Sequence, residues 1–401
     1  MAGTELWIGI DVGKRSHHAC AIDHTGTVVW SRRVDNDQTA IDALLRSVDG
    51  ADVRWAVDLT SAVASLLLTL LAAADQRVVY IPGRVVHTMA SAYRGEGKTD
   101  AKDARLIADI ARTRADLDTV DVPEPLVLNL RHLTGYRAEL VADRVRTVNR
   151  LRGLLNTIFP ALEIELRFIG RSALLLLSTF CTAADVRDAG ADGLDAHLAD
   201  LGVRGDRRRT VIGAALAAAE RQSCVVAGEE VTASLIKRMA GRLLTIDTET
   251  REVDLQIEGL FRQHRYARAL ESVPGIGALL GAQFLVETGG TVNGFATAGH
   301  LASYAGLVPV PRDSGRVTGN LRRPKRYNRG LRRMFYLAAQ SSLSTDGPSR
   351  RYYQHKREQN KVHTQALLAV ARKQVDVVWA LIRDDRVFTL VAPGPHHAAA
   401  A

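Results

Sequence analysis

Residues 6 to 12, Leu-Trp-Ile-Gly-Ile-Asp-Val, form a short β-branched apolar run that stops at Asp11 and Gly13. Such a run reads as a buried strand followed by a turn. Two further strand-like runs, 19 to 23 and 27 to 34, are separated by the turn residues His24, Thr25 and Gly26. The chain therefore opens on a three-stranded antiparallel meander. Ile41, Leu44, Leu45 and Val48 recur at helical spacing and predict a helix over 38 to 47. Residues 54 to 57 read as strand, 61 to 74 as helix and 77 to 81 as strand, so the order βββαβαβ is that of a mixed α/β domain. Beyond Pro82, helices are expected at 84 to 93 and from about 100 to 114, with a loop at Gly95 and Gly97 between them.

Pro123 and Pro125 mark a domain boundary. Leu130, Leu133, Tyr136, Leu140, Val141, Val148, Leu151 and Leu155 then fall at three- and four-residue steps, which predicts one long helix over 126 to 159. A second long helical stretch covers 228 to 266, and two such arms suggest an antiparallel coiled coil or bundle. The Ala- and Asp-rich segment 181 to 209 between them predicts only a small helical insertion. From Glu271 the texture changes to VPGIG, a loop containing Gly, Arg and Ser, an aromatic and basic helix through Leu343, and a last helix from about 361 to 382. The expected division is 1–122 as an α/β domain, 123–266 as a helical coiled-coil domain, 267–390 as a mainly α domain, and 391–401 as a frayed low-complexity tail.

At 401 residues, 46% hydrophobic and 24% charged, the chain has the composition of a globular protein and excludes disordered or fibrous classes. Cys20, Cys181 and Cys224 lie far apart with no CxxC pair, which argues against a disulfide framework and a zinc site. The N-terminus lacks a basic n-region ahead of an apolar core, and no apolar run reaches the length of a membrane span, so a bacterial cytoplasmic location is expected. The net charge is +9, and thirteen Lys or Arg between Arg312 and Glu358 face only Asp313, Asp346 and Glu358. One basic stretch in an otherwise near-neutral chain is the footprint of a phosphate-backbone binder, although a solvated basic face has the same composition.

Asp11 and Asp58 each end a strand, and Asp100 and Asp103 open a helix in KTDAKDA. Ends of neighbouring strands converge on one sheet edge, and an i, i+3 pair shares one helical face. Clustered carboxylates repel unless a cation holds them, and hard oxygen ligands select Mg²⁺ or Mn²⁺. Two such ions would clamp the attacking and leaving oxygens of an in-line phosphoryl displacement. Singly, each acid has a plainer reading: a turn residue before glycine, or, for Asp100, a helix cap.

Jointly, the opening IGIDVG strand, the acid after strand four and the DxxD helix are similar to the ribonuclease-H-like nuclease fold that includes RuvC-type resolvases. VPGIG at 273 to 277, ASYAGLVP at 302 to 309, DSGR at 313 to 316 and the basic helix beyond resemble the C-terminal domain of the DEDD transposases, the IS one-ten group of insertion sequences. The resemblance covers 6 to 116 and about 270 to 345 most closely. Position by position it implies four acidic residues at Asp11, Asp58, Asp100 and Asp103, the second of which is commonly glutamate in that family. It also implies that Ser314 attacks the DNA phosphate to form a phosphoserine intermediate. Its further implications are a homodimer or homotetramer, Mg²⁺ or Mn²⁺, DNA partners comprising element ends and target, and a structured guide RNA encoded beside the gene.

From the residues themselves, Ser314 lies in PRDSGRVTGN, flanked by Arg312 and Arg316 and followed by Arg322, Arg323, Lys325, Arg326, Arg329, Arg332 and Arg333. A serine hydroxyl needs a base or a metal to become a nucleophile, and the arginines would stabilise charge on pentavalent phosphorus. This expectation needs the carboxylates and the serine to act on one phosphate. Tyr327, Tyr352 and Tyr353 could stack on bases, whereas Phe335 and Tyr336 suit a helix's inner face. VPGIG fits either phosphate-backbone binding or packing. His17, His18, His87, His300 and His363 show no metal-ligand spacing. Two other functions compete with the recombinase: a RuvC-like structure-selective endonuclease with water as nucleophile, and a non-catalytic nucleic-acid-binding protein indifferent to Mg²⁺.

Overall fold

The computed structural model describes residues 5–59, 62–90, 99–117, 119, 124–166, 169–315 and 318–389. It divides into two compact units, Met1–Pro123 and Glu124–Ala401.

The first unit comprises β1 (Glu5–Asp11), β2 (Ser16–Ile22), β3 (Val28–Asp35), α1 (Gln38–Arg46), β4 (Asp52–Val57), a 3₁₀ turn (Ala62–Ala64), α2 (Ser65–Ala73), β5 (Val78–Tyr80), α3 (Gly83–Ala90) and α4 (Asp100–Thr113). The predicted βββαβαβ order holds, and the five strands form one sheet in the order β3-β2-β1-β4-β5. The first three strands form the meander, with β1 antiparallel to β2 and β2 to β3, while β4 and β5 run parallel to β1. Strand β1 is central, and Leu6 to Ile10 are all buried, which explains a near-continuous apolar run where a half-exposed strand would alternate. Leu6, Ile8, Ile10, Trp55 and Val57 face Ile41, Leu44, Leu67 and Leu71 of α1 and α2. Trp7, Cys20, Ile22 and Ala56 face Ala104, Ile107, Ala108 and Ala111 of α4. The unit is thus a sheet with helices on both faces. Residues 91 to 98, with the expected Gly95 and Gly97 loop, lie outside the described residues.

The second unit is mostly helical. It begins with α5 (Pro125–Ile158), α6 (Pro160–Glu165), α7 (Arg171–Leu177), α8 (Ala183–Asp200), α9 (Gly205–Ala219) and α10 (Glu229–Phe261). Helices α5 and α10 are the two long arms, and they run antiparallel: Arg137 pairs with Asp254 and Arg144 with Asp247. Segment 181 to 209 is larger than its sequence suggests. Glycines depress the helical signal there, yet α8 bends at Gly190 (φ 59°) and folds onto the Ala-rich α9. With α6 and α7 they enclose a separate core around Phe159, Leu174, Leu177, Leu194, Leu198 and Ile212, shared with Leu151 and Leu155 of α5 and Ile236 and Ala240 of α10.

The chain continues as α11 (Ala267–Ser272), α12 (Ala278–Thr288), α13 (Ala298–Tyr304), β6 (Val310–Pro311), β7 (Leu321–Arg322), α14 (Arg329–Ser341), α15 (Pro348–Glu358) and α16 (His363–Arg383). Their core contains Phe261, Phe284 and Phe335 and also takes in Leu130 and Leu140 of α5. Phe335 is fully buried, and Tyr336, Tyr352 and Tyr353 pack partly against this core. Gly275 of VPGIG has φ +90°, and a Cβ there would come 2.1 Å from the Ala338 carbonyl oxygen. That glycine serves close packing of the turn on α14, in keeping with the packing reading of the motif. The tail from 390 onward lies outside the described residues.

Candidate functional site

Asp11 and Asp58 follow neighbouring strand ends, and Asp100 and Asp103 open the helix whose N-terminus lies toward the same edge of the sheet. Strands β1 and β4 are parallel neighbours whose last pair is Ile10 with Val57, so Asp11 and Asp58 take the next step side by side. Strand alternation puts Asp11 on the face of Trp7, and Asp58 on that of Ala56, the face covered by α4. The Val12 N–H donates to Asp58 Oδ1 at 3.3 Å, tying the two strand ends together. Both aspartates are half-buried. His18, the register partner of Asp11, is engaged by Ser31 Oγ at 2.9 Å, which agrees with the reading of a satisfied histidine.

Helix α4 brings the other two acids to that edge. Its far end is fixed by Arg112, whose Nη1 donates to the His24 carbonyl at 3.3 Å beyond the C-terminal end of β2. Strand β2 runs opposite to β1, so the N-terminus of α4 lies toward Asp11. Asp100 and Asp103 stand one turn before the buried, sheet-facing Ala104 and Ile107. Asp100 does not cap the helix: Thr99 does, accepting from the Lys102 N–H at 3.3 Å. Asp100 is exposed and Asp103 half-buried, both in the first turn, where the helix dipole favours negative charge.

Carboxylate oxygens are the kind of donor that a hard divalent cation takes. Among the described residues, however, no three His, Cys, Asp or Glu side chains stand close enough to hold a metal ion. The fold gathers the acids at one edge without closing them into a ligand cage.

Ser314 belongs to the second unit, where it is exposed in the turn of the β6–β7 hairpin. The sequence suggests a flexible loop, but Asn320 fastens its base. Its carbonyl accepts the Arg312 N–H at 2.8 Å, its own N–H donates to Asp313 Oδ1 at 3.0 Å, and its Nδ2 donates to the Arg312 carbonyl at 3.3 Å. Asn320 and Thr99 carry no sign of these roles beyond being residues that bond to nearby backbone.

Arg312, Arg322, Arg323, Lys325, Arg326, Arg329 and Arg333 are exposed, and Arg316 lies outside the described residues. Arg332 differs from the rest. It donates to the Gly306 carbonyl, lies 5.1 Å from the centre of the Tyr327 ring, and has its pKa pushed down by burial. Arg323 donates to the Tyr327 hydroxyl at 2.7 Å and thereby holds that phenol below its ordinary value. Tyr327 also lies against Gly306, where a Cβ would come 2.4 Å from the ring, so it is a packed residue more than a free base-stacking platform. Asn328 caps α14 by accepting the Leu331 N–H at 2.8 Å and donates to Glu287 Oε2 at 2.7 Å, which anchors the start of the basic helix.

Known proteins resemble this chain over most of its length. A family described as transposase matches residues 8–160, and a second, described as the IS116/IS110/IS902 family of transposases, matches residues 267–354. The chain is 47% identical to an uncharacterised protein of the insertion element IS116 from Streptomyces clavuligerus, over 97% of each chain. It is 45% identical to an uncharacterised protein of IS900 from Mycobacterium paratuberculosis, over 96% of this chain and 97% of that one. It is 34% identical to an uncharacterised protein of IS110 from Streptomyces coelicolor, over 94% of each. Fold and matches together define the class as an enzyme, a DNA transposase. Within that class the chain belongs to the IS116/IS110/IS902 family of insertion-sequence transposases.

Proposed function

We propose that the first unit is a ribonuclease-H-like nuclease domain whose Asp11, Asp58, Asp100 and Asp103 hold Mg²⁺ or Mn²⁺, and that Ser314 is the nucleophile that cuts and rejoins DNA. The observation that carries this reading is the register that sets Asp11 beside Asp58 at the strand edge toward which the N-terminus of α4 points. The sheet order β3-β2-β1-β4-β5, with a meander followed by two parallel strands, supports the fold assignment. A bound divalent ion would neutralise charge on a phosphate oxygen and lower the pKa of an attacking hydroxyl.

The residues of the chain do the rest. The Ser314 hydroxyl loses its proton, and its oxygen bonds to phosphorus as the bond to the departing sugar oxygen breaks. The products are a phosphoserine and a free hydroxyl on the DNA end, and a second DNA hydroxyl reverses the displacement to join strands. Exposed Arg312, Arg322 and Arg323 flank the serine on its hairpin and are suited to orient the phosphate and offset its charge. Element ends and target DNA are the substrates. A structured guide RNA and a homodimer or homotetramer follow from the resemblance, and the exposed cations between Arg322 and Arg333 are compatible with an RNA partner.

The test is denaturing gel analysis of the protein with end-labelled element DNA. Ser314→Ala should form no covalent protein–DNA adduct while binding duplex DNA within about twofold of the parent. An adduct with this variant would remove the serine from the mechanism. Nicking that persists without an adduct would favour the endonuclease reading, in which water attacks.

A further inference from the structure

Helix α15 lies outside the site described above, and the sequence alone does not announce it as a separate element. It opens at Gly347 and Pro348 and has no buried residue. Tyr352 and Tyr353 on its inner side pack partly against the C-terminal core, and the Tyr353 hydroxyl meets His363 Nδ1 at 2.8 Å on α16. The helix is therefore held on the domain by its aromatic side. Its outer side carries Arg350, Gln354 and Arg357 at i, i+4 and i+7, with Arg351 beside them, and all four are exposed. Lys361, also exposed, follows the helix end.

Cations in the last turn are explained by the helix itself, since Lys356 and Arg357 sit where the dipole is negative and Arg357 Nη1 donates to the Lys361 carbonyl at 2.7 Å. Arg350 and Arg351 are not explained in this way. They occupy the first turn, which contains no acidic residue and where the dipole opposes positive charge. Neither side chain forms an ion pair or hydrogen bond among the described residues. The one acid on the helix, Glu358, faces His355 at 3.7 Å. Two exposed arginines kept in an unfavourable electrostatic position, in line with two more cations, complement a polyanion.

We propose that the outer face of α15 grips the phosphate backbone of duplex DNA without reading its sequence, through residues other than the reacting serine and aspartates. From Arg350 to Arg357 the helix rises about 10 Å, or about three base steps at 3.4 Å each, so one helix face reaches successive phosphates of a strand. The proposal rests on the DNA-handling reading of the family but not on its chemistry.

The experiment is fluorescence anisotropy of the full-length protein with a random-sequence duplex, titrated at several KCl concentrations in EDTA so that no strand is cut. The double variant Arg350→Gln, Arg351→Gln should bind more weakly on every duplex, and the slope of log affinity against log salt should become shallower by about two. Arg350→Lys, Arg351→Lys should restore the parental slope, because a phosphate contact needs charge more than shape. A circular dichroism melt unchanged from the parent confirms folding. A parental slope in the glutamine variant overturns the proposal. So does a loss confined to a structured RNA of equal length, which would assign the face to RNA. Failure of the serine or metal assignment would leave these binding curves unmoved.

Discussion

Gly9 lies so close to α4 that a Cβ on it would come 2.1 Å from the carbonyl oxygen of Ala104 and 2.3 Å from the amide nitrogen of Ala108. No side chain fits there without moving the helix, and moving the helix moves Asp100 and Asp103 relative to Asp11. Gly9→Ala should destabilise the first unit by about 1–3 kcal/mol or more, as overpacked cores do. It should also abolish DNA cleavage under conditions where the protein remains folded. Denaturant melts and cleavage assays check the two effects separately, and a variant with parental stability would show that α4 can shift freely.

Asp58 has one observed contact and one proposed role, which substitutions can separate. Its Oδ1 accepts the Val12 N–H, and its charge belongs to the proposed cation site. Asp58→Asn keeps the acceptor and should fold like the parent while losing cleavage by at least about a hundredfold. Asp58→Leu should lose the activity and also about 1 kcal/mol of stability, because the half-buried amide is left without its partner. Equal stability of the two variants would deny the structural half of this prediction.

Burial separates the three thiols. Cys181 is buried and its pKa is pushed up to about 12 by desolvation, and burial raises that of Cys20 as well, whereas Cys224 is exposed. A thiolate reagent at pH 8 should modify Cys224 alone in the folded protein and all three after denaturation. Rapid native labelling of Cys181 would mean that the core around α6 to α9 opens readily.

His17 and His264 give the protein an acid-sensitive stability. Burial lowers the pKa of both, so the folded state takes up protons at lower pH than the unfolded chain does. Unfolded histidine titrates near about 6.5, so their contribution is intact above that pH and diminishes as the pH drops through it. His17 Nε2 is 3.1 Å from Asn36 Oδ1, a contact that Gln can replace. His17→Gln should flatten the decline in the denaturation midpoint between pH 7 and about 5, and an unchanged slope would remove His17 as a contributor.

Arg144 joins the two long arms, with Nε 2.6 Å from Asp247 Oδ1 and Nη2 3.3 Å from the Ile169 carbonyl. The carboxylate is 17% exposed, so Arg144→Met leaves a largely buried charge without its partner. A loss of about 1–3 kcal/mol is expected, between the values for exposed and fully buried pairs. Adding Asp247→Leu should recover part of it, as a double-mutant cycle of melts would measure.

The sequence by itself determined the sheet of the first unit and the two long arms, and it singled out the four aspartates and the hairpin serine as the residues to propose. Strand alternation, helical spacing and turn residues such as Gly26 are local signals, and the motifs around Asp100 and Ser314 are contiguous. Gly9 stands inside the apolar run of β1, which by itself names no close neighbour for it. Which neighbour it was, that α4 runs toward Asp11, and that Thr99 rather than Asp100 caps α4 were decided by tertiary structure alone. The same holds for the anchoring of the serine hairpin by Asn320, for the α8–α9 hairpin, and for the packing of Gly275 on α14. The physical reason is that periodicity records which side of an element is covered but carries no record of what covers it. Two-residue strands and glycine-bent helices have too few positions to leave a periodic trace, and partners such as Gly275 and Ala338, far apart in the chain, meet only once the core has closed.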